Sequence, residues 1–310
     1  MGAQRSRVAS IVRRRLGTLG LALACLIASL GARGADILLV GAQHNDGIAA
    51  FTQALRDLRP ADSVRFQPLA DAPAPGRLAA DTRLILLDPP SLDWRLQEHR
   101  GPATLVLRIS RLQARQRLGE QVPPRLSLLW SDPPLARQLR LTRQLLPQAK
   151  RVGVLYSDGS EFLLRELHHL AGPMGLELVA QRWDNIADSR PLQHVLGSSD
   201  VLLGLDDPQL YNSKTAKNLL LSTYARQQAL IGPNAGFVKA GALASTYSDQ
   251  DDWLAVLDTL LDRPPSQWPR SLYPTQFKVQ SNPQVARSLG LEPIDEPAMA
   301  TRLAEGEQRP

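Results

Sequence analysis

Short apolar runs alternate with amphipathic segments from Ile37 onward. Residues 37–40 form a continuous apolar run, which a polar loop and a helical pattern over residues 47–58 follow. Further segments that look like buried strands occur at residues 64–66, 84–87 and 104–109. Continuous apolar strands separated by helices predict a parallel sheet that is covered by helices on both faces.

The same alternation begins again after a break at residues 130–134. It includes predicted strands at residues 151–156, 176–181 and 200–205, with helical patterns between them. The chain is therefore predicted to have an α/β fold with two Rossmann-like lobes, each built on a parallel sheet and joined by a hinge. The predicted layout is an N-terminal lobe at 36–130, a second lobe at 131–247, hinge-crossing return segments at 248–291, and a C-terminal tail at 292–310 that is rich in Pro and Glu and loosely held.

The break between the lobes contains a helix start signal. Asp132 precedes two prolines and is predicted to cap the helix that follows, which runs from Pro134 to about Leu146. Leucines at helical spacing place one face of this helix inward. Three arginines on the other face are predicted to point to water: Arg137, Arg140 and Arg143.

The first residues of the chain have the order of segments that is typical of a secretory signal peptide. Five arginines before residue 16 precede an apolar run over residues 16–30 and a small-residue stretch over 31–35. A spanning helix needs about 20 apolar residues, so a signal peptide over residues 1–35 is favoured over a membrane anchor. The mature chain is predicted to start near Asp36 in the periplasm, with lipid attachment at Cys25 as the less favoured alternative.

Removing the leader changes the charge and the chemistry of the chain. The formal charge of +6 comes from 36 basic and 30 acidic residues, and the leader holds six arginines and no acid. The mature chain is therefore formally neutral, which argues against nucleic acid as a partner. The one cysteine of the chain also lies in the leader, which excludes disulfides, thiolate metal sites and cysteine nucleophiles from the mature protein.

Polar loops follow several of the predicted strands. In open α/β sheets, ligands bind beyond the carboxyl ends of the strands, where helix amino termini and loop amides point. Two such sheets that face each other form a cleft. The residues predicted as ligand contacts from these loops are Gln43, His44, Asn45, Ser91, Ser157, Ser160, Asp206, Asp207, Tyr211, Asn234 and Tyr247.

These residues suit the two ends of an amino acid. Asp206 and Asp207 directly follow an apolar strand, so one acid is expected to cap the next turn and the other to meet a ligand amine. The hydroxyls of Ser157 and Ser160 suit a ligand carboxylate, although a turn-forming role explains them equally well. The aromatic rings of Tyr211, Tyr247 and Trp130 either stack on a flat ligand or belong to the core.

Metal and catalytic signatures are not evident in the sequence. The five histidines show no metal-ligand spacing, and His44 is either a ligand contact or a surface-loop residue. The chain has no G-x-S-x-G elbow, phosphate loop, G-x-G-x-x-G or H-E-x-x-H motif. We therefore expect no cofactor, no metal and no enzymatic activity.

A series of short segments between residues 126 and 291 has a distinctive order. The segments are SDPP at 131–134 and ARQL at 136–139, LLP at 145–147, RVGVL at 151–155, DVLL at 200–203, DP at 207–208, YN at 211–212, TA at 215–216, VKAGAL at 238–243 and VARSLGL at 285–291. In these segments the chain resembles the ABC transporter substrate-binding proteins that are related to tryptophan and tyrosine receptors. The resemblance is weaker before residue 126.

This resemblance implies a type I periplasmic-binding-protein fold in which hinge closure traps a ligand between the lobes. It implies a small amino-acid-like solute as the ligand and an ABC permease as a partner. Two alternatives remain open at this point. One is a non-transport binding protein that serves a sensor or accessory system, and the other is a periplasmic enzyme that uses Asp206 or Asp207 together with His44.

Overall fold

The computed structural model of this protein describes residues 34–308. The predicted signal peptide and Cys25 lie outside the described residues, apart from Gly34 and Ala35. Within residues 34–308, no helix is both long enough and apolar enough to cross a membrane.

The first lobe is built on a six-stranded sheet with the strand order β11-β5-β4-β3-β1-β2. All neighbouring strands in this sheet are parallel. Its strands are β1 (Asp36–Gly41), β2 (Ser63–Pro68), β3 (Arg83–Leu86), β4 (Ala103–Ile109), β5 (Leu126–Trp130) and β11 (Ser271–Leu272). The helices of this lobe are α1 (Asp46–Leu58), α2 (Pro89–Arg95), α3 (Arg111–Leu118) and α9 (Gln250–Leu261).

The second lobe has its own six-stranded sheet, with the order β12-β10-β9-β8-β6-β7. Only its edge strand β12 runs antiparallel to its neighbour. Its strands are β6 (Arg151–Tyr156), β7 (Glu177–Arg182), β8 (Val201–Leu203), β9 (Ala229–Ile231), β10 (Ala244–Tyr247) and β12 (Lys278–Ser281). Its helices are α4 (Leu135–Leu145), α5 (Phe162–Ala171), α6 (Arg190–Ser198), α7 (Ala216–Ala225), α8 (Ala235–Ala240), α10 (Pro283–Ser288) and α11 (Glu296–Gln308). The predicted fold class, two mainly parallel α/β sheets, is confirmed.

Each sheet buries both of its faces, which explains the continuous apolar runs in the sequence. In β1, Ile37 and Leu39 pack with α1 and α9, whereas Leu38 and Val40 pack on the opposite face with α2 and α3. Successive side chains of a strand point to opposite faces, so a strand that is covered on both sides has no face directed to solvent. Burying each such side chain stabilises the fold by about 1.5–3 kcal/mol.

The chain crosses between the lobes at three places. It leaves the first sheet after β5 and enters α4, returns from β10 to α9, and crosses once more between β11 and β12. The second crossing places α9 in the first lobe, where Trp253, Leu257 and Leu260 join its core. Within residues 34–308, these three crossings connect the two sheets, where the sequence predicts a hinge.

Arg137 does not point to water as predicted. Its side chain is buried, stacks 3.6 Å from the centroid of the Phe277 ring, and forms an ion pair with Glu307 at 2.6 Å. Phe277 and Glu307 are far from Arg137 in the sequence, so the local amphipathic pattern could not show that they cover this face. By contrast, Arg140 is half-buried and Arg143 donates to the carbonyl oxygens of the loop that follows α4.

The predicted loosely held tail is also corrected by the structure. Helix α11 occupies most of this segment, and its Met299 and Leu303 side chains are buried in the core of the second lobe against α4. Met299 and Leu303 are four residues apart and share one helix face, which gives the segment an apolar stripe despite its many polar residues. The chain end is therefore part of the second lobe.

Candidate functional site

Polar residues from the strand ends of both lobes meet at the gap between the sheets. The first lobe contributes Ser110, which follows β4, and Asp132, which follows β5. The second lobe contributes Asp206, which follows β8, and Asn234, which follows β9. The carboxyl group of Asp206 faces the side chains of both Asn234 and Ser110, so the contact spans the two lobes. We name these four residues the interlobe cluster.

The neighbouring acid, Asp207, lies in a different setting. Its Oδ2 atom accepts hydrogen bonds from the hydroxyls of Ser157 and Ser160, both at 2.6 Å. Its Oδ1 atom accepts from the backbone N–H of Gln209 at 2.9 Å and so fixes the turn that follows β8. Asp207, Ser157 and Ser160 are each at most 1% exposed. This buried triad has its hydrogen bonds satisfied within the second lobe.

The triad bears on the predicted carboxylate contact at Ser157 and Ser160. A serine hydroxyl has one proton to donate, and both hydroxyls donate theirs to Asp207. The Ser160 hydroxyl oxygen also accepts the backbone N–H of Ser157, which completes a capping box at the turn 158–160. The geometry supports the turn-forming role of the two serines and leaves neither hydroxyl proton for a ligand carboxylate.

The side chain of Asp206 is not satisfied in this way. Burial raises the pKa of its carboxyl, hydrogen bonds from Asn234 and Ser110 lower it, and the charge of Asp207 raises it, with a net upward shift. A raised pKa means that the protein environment disfavours the carboxylate form. Among residues 34–308, no cation forms an ion pair with Asp206 that would stabilise its ionised form in this half-buried position.

Asp132 belongs to the same electrostatic group. The prediction that Asp132 caps α4 is wrong, because Pro134 holds the cap position of that helix. The Oδ1 atom of Asp132 instead accepts the backbone N–H of Arg111 at the start of α3, at 2.8 Å. Asp132 is 8% exposed, and burial raises the pKa of its carboxyl to about 7 against the lowering effect of that hydrogen bond. The charge of Asp206 contributes to this rise in the pKa of Asp132, and the charge of Arg111 opposes it. The buried Asp132 and the half-buried Asp206, one from each side of the gap, thus repel each other when both are ionised.

Other side chains tie the two lobes together beside this cluster. Arg111 of α3 forms an ion pair with Glu166 of α5 at 2.6 Å, and the Arg115 guanidinium lies 4.6 Å from the centroid of the Phe162 ring. The hydroxyl of Tyr273, on the third crossing, is buried and has no hydrogen-bond partner within residues 34–308. The guanidinium of Arg111 is paired with Glu166, and its charge only partly offsets the rise in the pKa of Asp132.

Three of the predicted contacts lie together in the loop after β1. Gln43, His44 and Asn45 are all exposed. The His44 ring stacks on Phe66 of β2 with 5.3 Å between ring centroids, and the Asn45 side chain caps α1 by accepting the N–H of Ile48 at 3.0 Å. Because β2 is the far edge of the sheet, His44 is not brought to Asp206, which faces the end of β4.

The remaining predicted contacts have structural partners of their own. Ser91 is fully buried in a capping box with Asp88 at the start of α2. Tyr211 is buried, and its ring meets the ring of Phe237 edge-on with 5.6 Å between centroids. Asn234, besides facing Asp206, accepts the N–H of Phe237 at 3.1 Å. Tyr247 ends β10 and is half-buried next to the second crossing.

Arg108, which was not among the predicted contacts, lines a cavity of about 310 Å³ at the carboxyl edge of the first sheet. The cavity lies between the ends of β1, β3 and β4 and the start of α9. The signal for Arg108 was present in the sequence, because it is the one charged residue in the otherwise apolar run of β4. Among residues 34–308, no group of three or more His, Cys, Asp or Glu side chains is placed to hold a metal ion.

No family model and no curated protein matches the chain by sequence. Solved structures do match it in three dimensions. The ligand-free, open structure of a substrate-binding protein with adhesive properties from Clostridium difficile superposes with a TM-score of 0.65 at 16% identity, over 84% of this chain and 96% of that one. An ABC domain in complex with L-Trp from Streptococcus pneumonia gives a TM-score of 0.55 at 14% identity, over 84% and 96% of the two chains.

A conserved domain protein from Vibrio cholerae is also similar, with a TM-score of 0.55 at 17% identity over 86% of this chain and 98% of that one. The chain has a type I periplasmic binding fold. The resemblance to the ABC transporter substrate-binding proteins is thereby confirmed at the level of the fold. At these identities the comparisons establish the fold, and the ligand of this protein has to be argued from its own residues.

Proposed function

We propose that this protein is a periplasmic solute-binding protein of an ABC uptake system, which captures a small amino-acid-like solute between its lobes and closes around it. The fold supports binding between two lobes that are linked by three crossings. The predicted signal peptide supports export. The protein from Clostridium difficile, with the same fold, is described as a substrate-binding protein.

One observation carries the amino-acid part of the proposal: the carboxyl groups of the buried Asp132 and the half-buried Asp206 act on each other across the gap, and neither forms an ion pair within residues 34–308. Both Asp132 and Asp206 have raised pKa values, first because of burial, and the charge of Asp206 adds to the shift of Asp132. A ligand ammonium group between them would favour the ionised form of both acids and would gain charge-assisted hydrogen bonds. The interlobe cluster is therefore our candidate for the amine end of the solute.

The same arrangement links binding to closure. Asp206 belongs to the second lobe, whereas Ser110 and Asp132 belong to the strand ends of the first. A ligand that contacts both sides favours the closed arrangement over the open one by its differential affinity for the two. The Arg111–Glu166 ion pair lies on the same interlobe face and would hold the closed state further.

The enzyme alternative requires His44 to converge with Asp206 or Asp207. His44 packs on Phe66 at the far edge of the first sheet, Asp206 faces Ser110, and Asp207 is enclosed by two serines. This separation favours a binding role over acid–base chemistry by those residues. A permease encoded beside this chain would favour the transport role over an accessory or sensor role.

The test is a ligand screen of the mature protein starting at Asp36, by thermal shift and then calorimetry. The panel contains the L-amino acids and, for each aromatic or aliphatic one, the amine that lacks its carboxylate. A ligand at about 100 times its dissociation constant stabilises the folded state by about 2.7 kcal/mol, a shift that the screen detects. Small-angle X-ray scattering with the best ligand is expected to show a smaller radius of gyration. Binding of no amino acid and no amine would contradict the proposal.

A further inference from the structure

The cavity beside Arg108 has the composition of a small-molecule site. Its walls include the apolar side chains of Phe51, Leu87, Leu107 and Trp253, with Arg108 and Ser248 at the polar part. Ligand sites are typically apolar cavities with a few polar groups that fix orientation, and about 300 Å³ is the lower end of their usual size. The cavity has about 310 Å³, which suits a ligand no larger than an amino acid.

Arg108 is held in the wall of this cavity by an unusual backbone. Its φ angle is 55°, in the left-handed region, and the pairing of β4 with β5 shifts register between Val106 and Ile109. A side chain that follows the regular strand pattern would point into the core, whereas the irregularity turns Arg108 outward, where it is exposed. Within residues 34–308, its guanidinium makes no ion pair and no hydrogen bond to another side chain.

The acid that lines the cavity does not neutralise Arg108. Asp249 caps α9, where its Oδ1 atom accepts the N–H groups of Asp251 and Asp252 at 3.1 and 3.2 Å. Its Oδ2 atom pairs with Lys278 at 2.7 Å. The carboxylate of Asp249 is thus engaged at both oxygens, and the guanidinium of Arg108 is left as the charge that an anionic ligand group would meet.

We propose that this cavity binds a small carboxylic acid with an aromatic or large aliphatic body. Arg108 pairs with the carboxylate, with its planar guanidinium matching the two oxygens, and Phe51 and Trp253 contact the apolar body. This inference rests on the proposed function for the assignment of the ligand as an amino acid. It deepens that function, because Arg108 lies two residues before Ser110 and so places a carboxylate contact close in the chain to the interlobe cluster. It moves carboxylate recognition from Ser157 and Ser160, whose hydroxyls serve Asp207, to the first lobe.

The test uses 3-phenylpropionate, which has the carboxylate and an aromatic body but no amine, as the probe in calorimetry with the mature protein. The wild type is expected to bind 3-phenylpropionate with a dissociation constant in the millimolar range or lower. Its affinity for 2-phenylethylamine, which lacks the carboxylate that pairs with Arg108, is expected to differ. Arg108→Gln is expected to weaken binding of 3-phenylpropionate by about tenfold to a hundredfold. Arg108→Lys keeps the charge and should retain more of the affinity.

Arg77→Gln is the matched control, since Arg77 is an exposed arginine of the same lobe outside the cavity. It should bind the acid as the wild type does. No binding of 3-phenylpropionate by the wild type, or equal affinity in Arg108→Gln, would overturn the inference. If the acid binds through Arg108 but no amino acid binds, the cavity stands and the amino-acid ligand falls. If an amino acid binds equally well to Arg108→Gln, the proposed function stands and this inference falls.

Discussion

Asp206 and Asp207 are neighbours in the chain but have opposite relations to their surroundings. Asp207 accepts three hydrogen bonds inside the second lobe and is almost fully buried. Asp206 is half-buried at the gap, where burial and a neighbouring charge raise its pKa. A carboxylate with its acceptors filled stabilises the fold, whereas one without a cation is available to a ligand.

Two residues that are joined by one peptide bond therefore have different roles: Asp207 stabilises the fold, and Asp206 is assigned to ligand binding. The strand β8 ends just before both acids, so their side chains leave the sheet in different directions, one into the lobe and one toward the other lobe. The triad of Asp207, Ser157 and Ser160 fixes the loops that carry Asp206. Substitutions on one side of this divide should change stability, and those on the other side should change affinity.

The largest expected effect on stability comes from Asp207→Ala. The substitution leaves the buried hydroxyls of Ser157 and Ser160 and the N–H of Gln209 without their acceptor, and each loss of a charge-assisted hydrogen bond costs about 1.5–3 kcal/mol. With three such bonds lost, we expect the free energy of unfolding in urea to fall by about 4.5 kcal/mol or more. Asp71→Ala, on an exposed turn, serves as the control and should change it by less than about 0.5 kcal/mol.

A second large effect concerns the pH dependence of stability. Asp132 has a pKa raised from 3.8 to about 7, so the folded state binds a proton that the unfolded state releases between these values. Stability is therefore expected to fall as the pH rises from about 4 to about 7, by up to about 4 kcal/mol. Two acids with lowered pKa values, the half-buried Asp188 and the exposed Asp200, act below this window, where stability is lost as the pH falls.

Unfolding curves for the wild type and Asp132→Asn across pH 4–7 measure this contribution. The variant cannot ionise at this position, so its stability should depend less on pH within the window. If the stability of Asp132→Asn depends on pH as that of the wild type does, the raised pKa of Asp132 is not the cause of the pH dependence.

A smaller effect is expected from Ser160→Ala. The substitution removes one of the two hydroxyl donors to Asp207 but leaves Ser157 and the Gln209 N–H in place, so a loss of about 1–2 kcal/mol in the free energy of unfolding is expected. Affinity for an amino acid that the wild type binds should remain within about threefold, since this hydroxyl does not face the gap. A much larger loss of affinity with unchanged stability would return Ser160 to the ligand site.

The two sheets could be predicted from the sequence because strands that are buried on both faces leave continuous apolar runs. The environment of Arg137 could not, because Phe277 and Glu307 reach it from distant parts of the chain. For the site, the sequence located strand ends but not side-chain directions. Asp206 and Asp207 are equivalent in sequence, and only the position of Ser157 and Ser160 distinguishes them.

The side-chain direction of Arg108 could not be predicted from the sequence either. A regular strand would alternate its side chains, and the register shift after Val106 that turns Arg108 outward depends on pairing with β5 rather than on local preference. A charged residue near the end of an apolar strand was the available signal. Only the structure places it in a cavity beside the start of α9.

The most direct test of the account is the affinity of Asp206→Asn for the amino acid that binds the wild-type protein most tightly, measured by calorimetry beside Asp71→Asn as the control. The account predicts a loss of about tenfold or more for Asp206→Asn, because the charge that faces the ligand amine is removed, with no decrease in the free energy of unfolding. Affinity equal to that of the wild type would contradict the assignment of Asp206 to the binding site and, with it, the division between the two neighbouring acids.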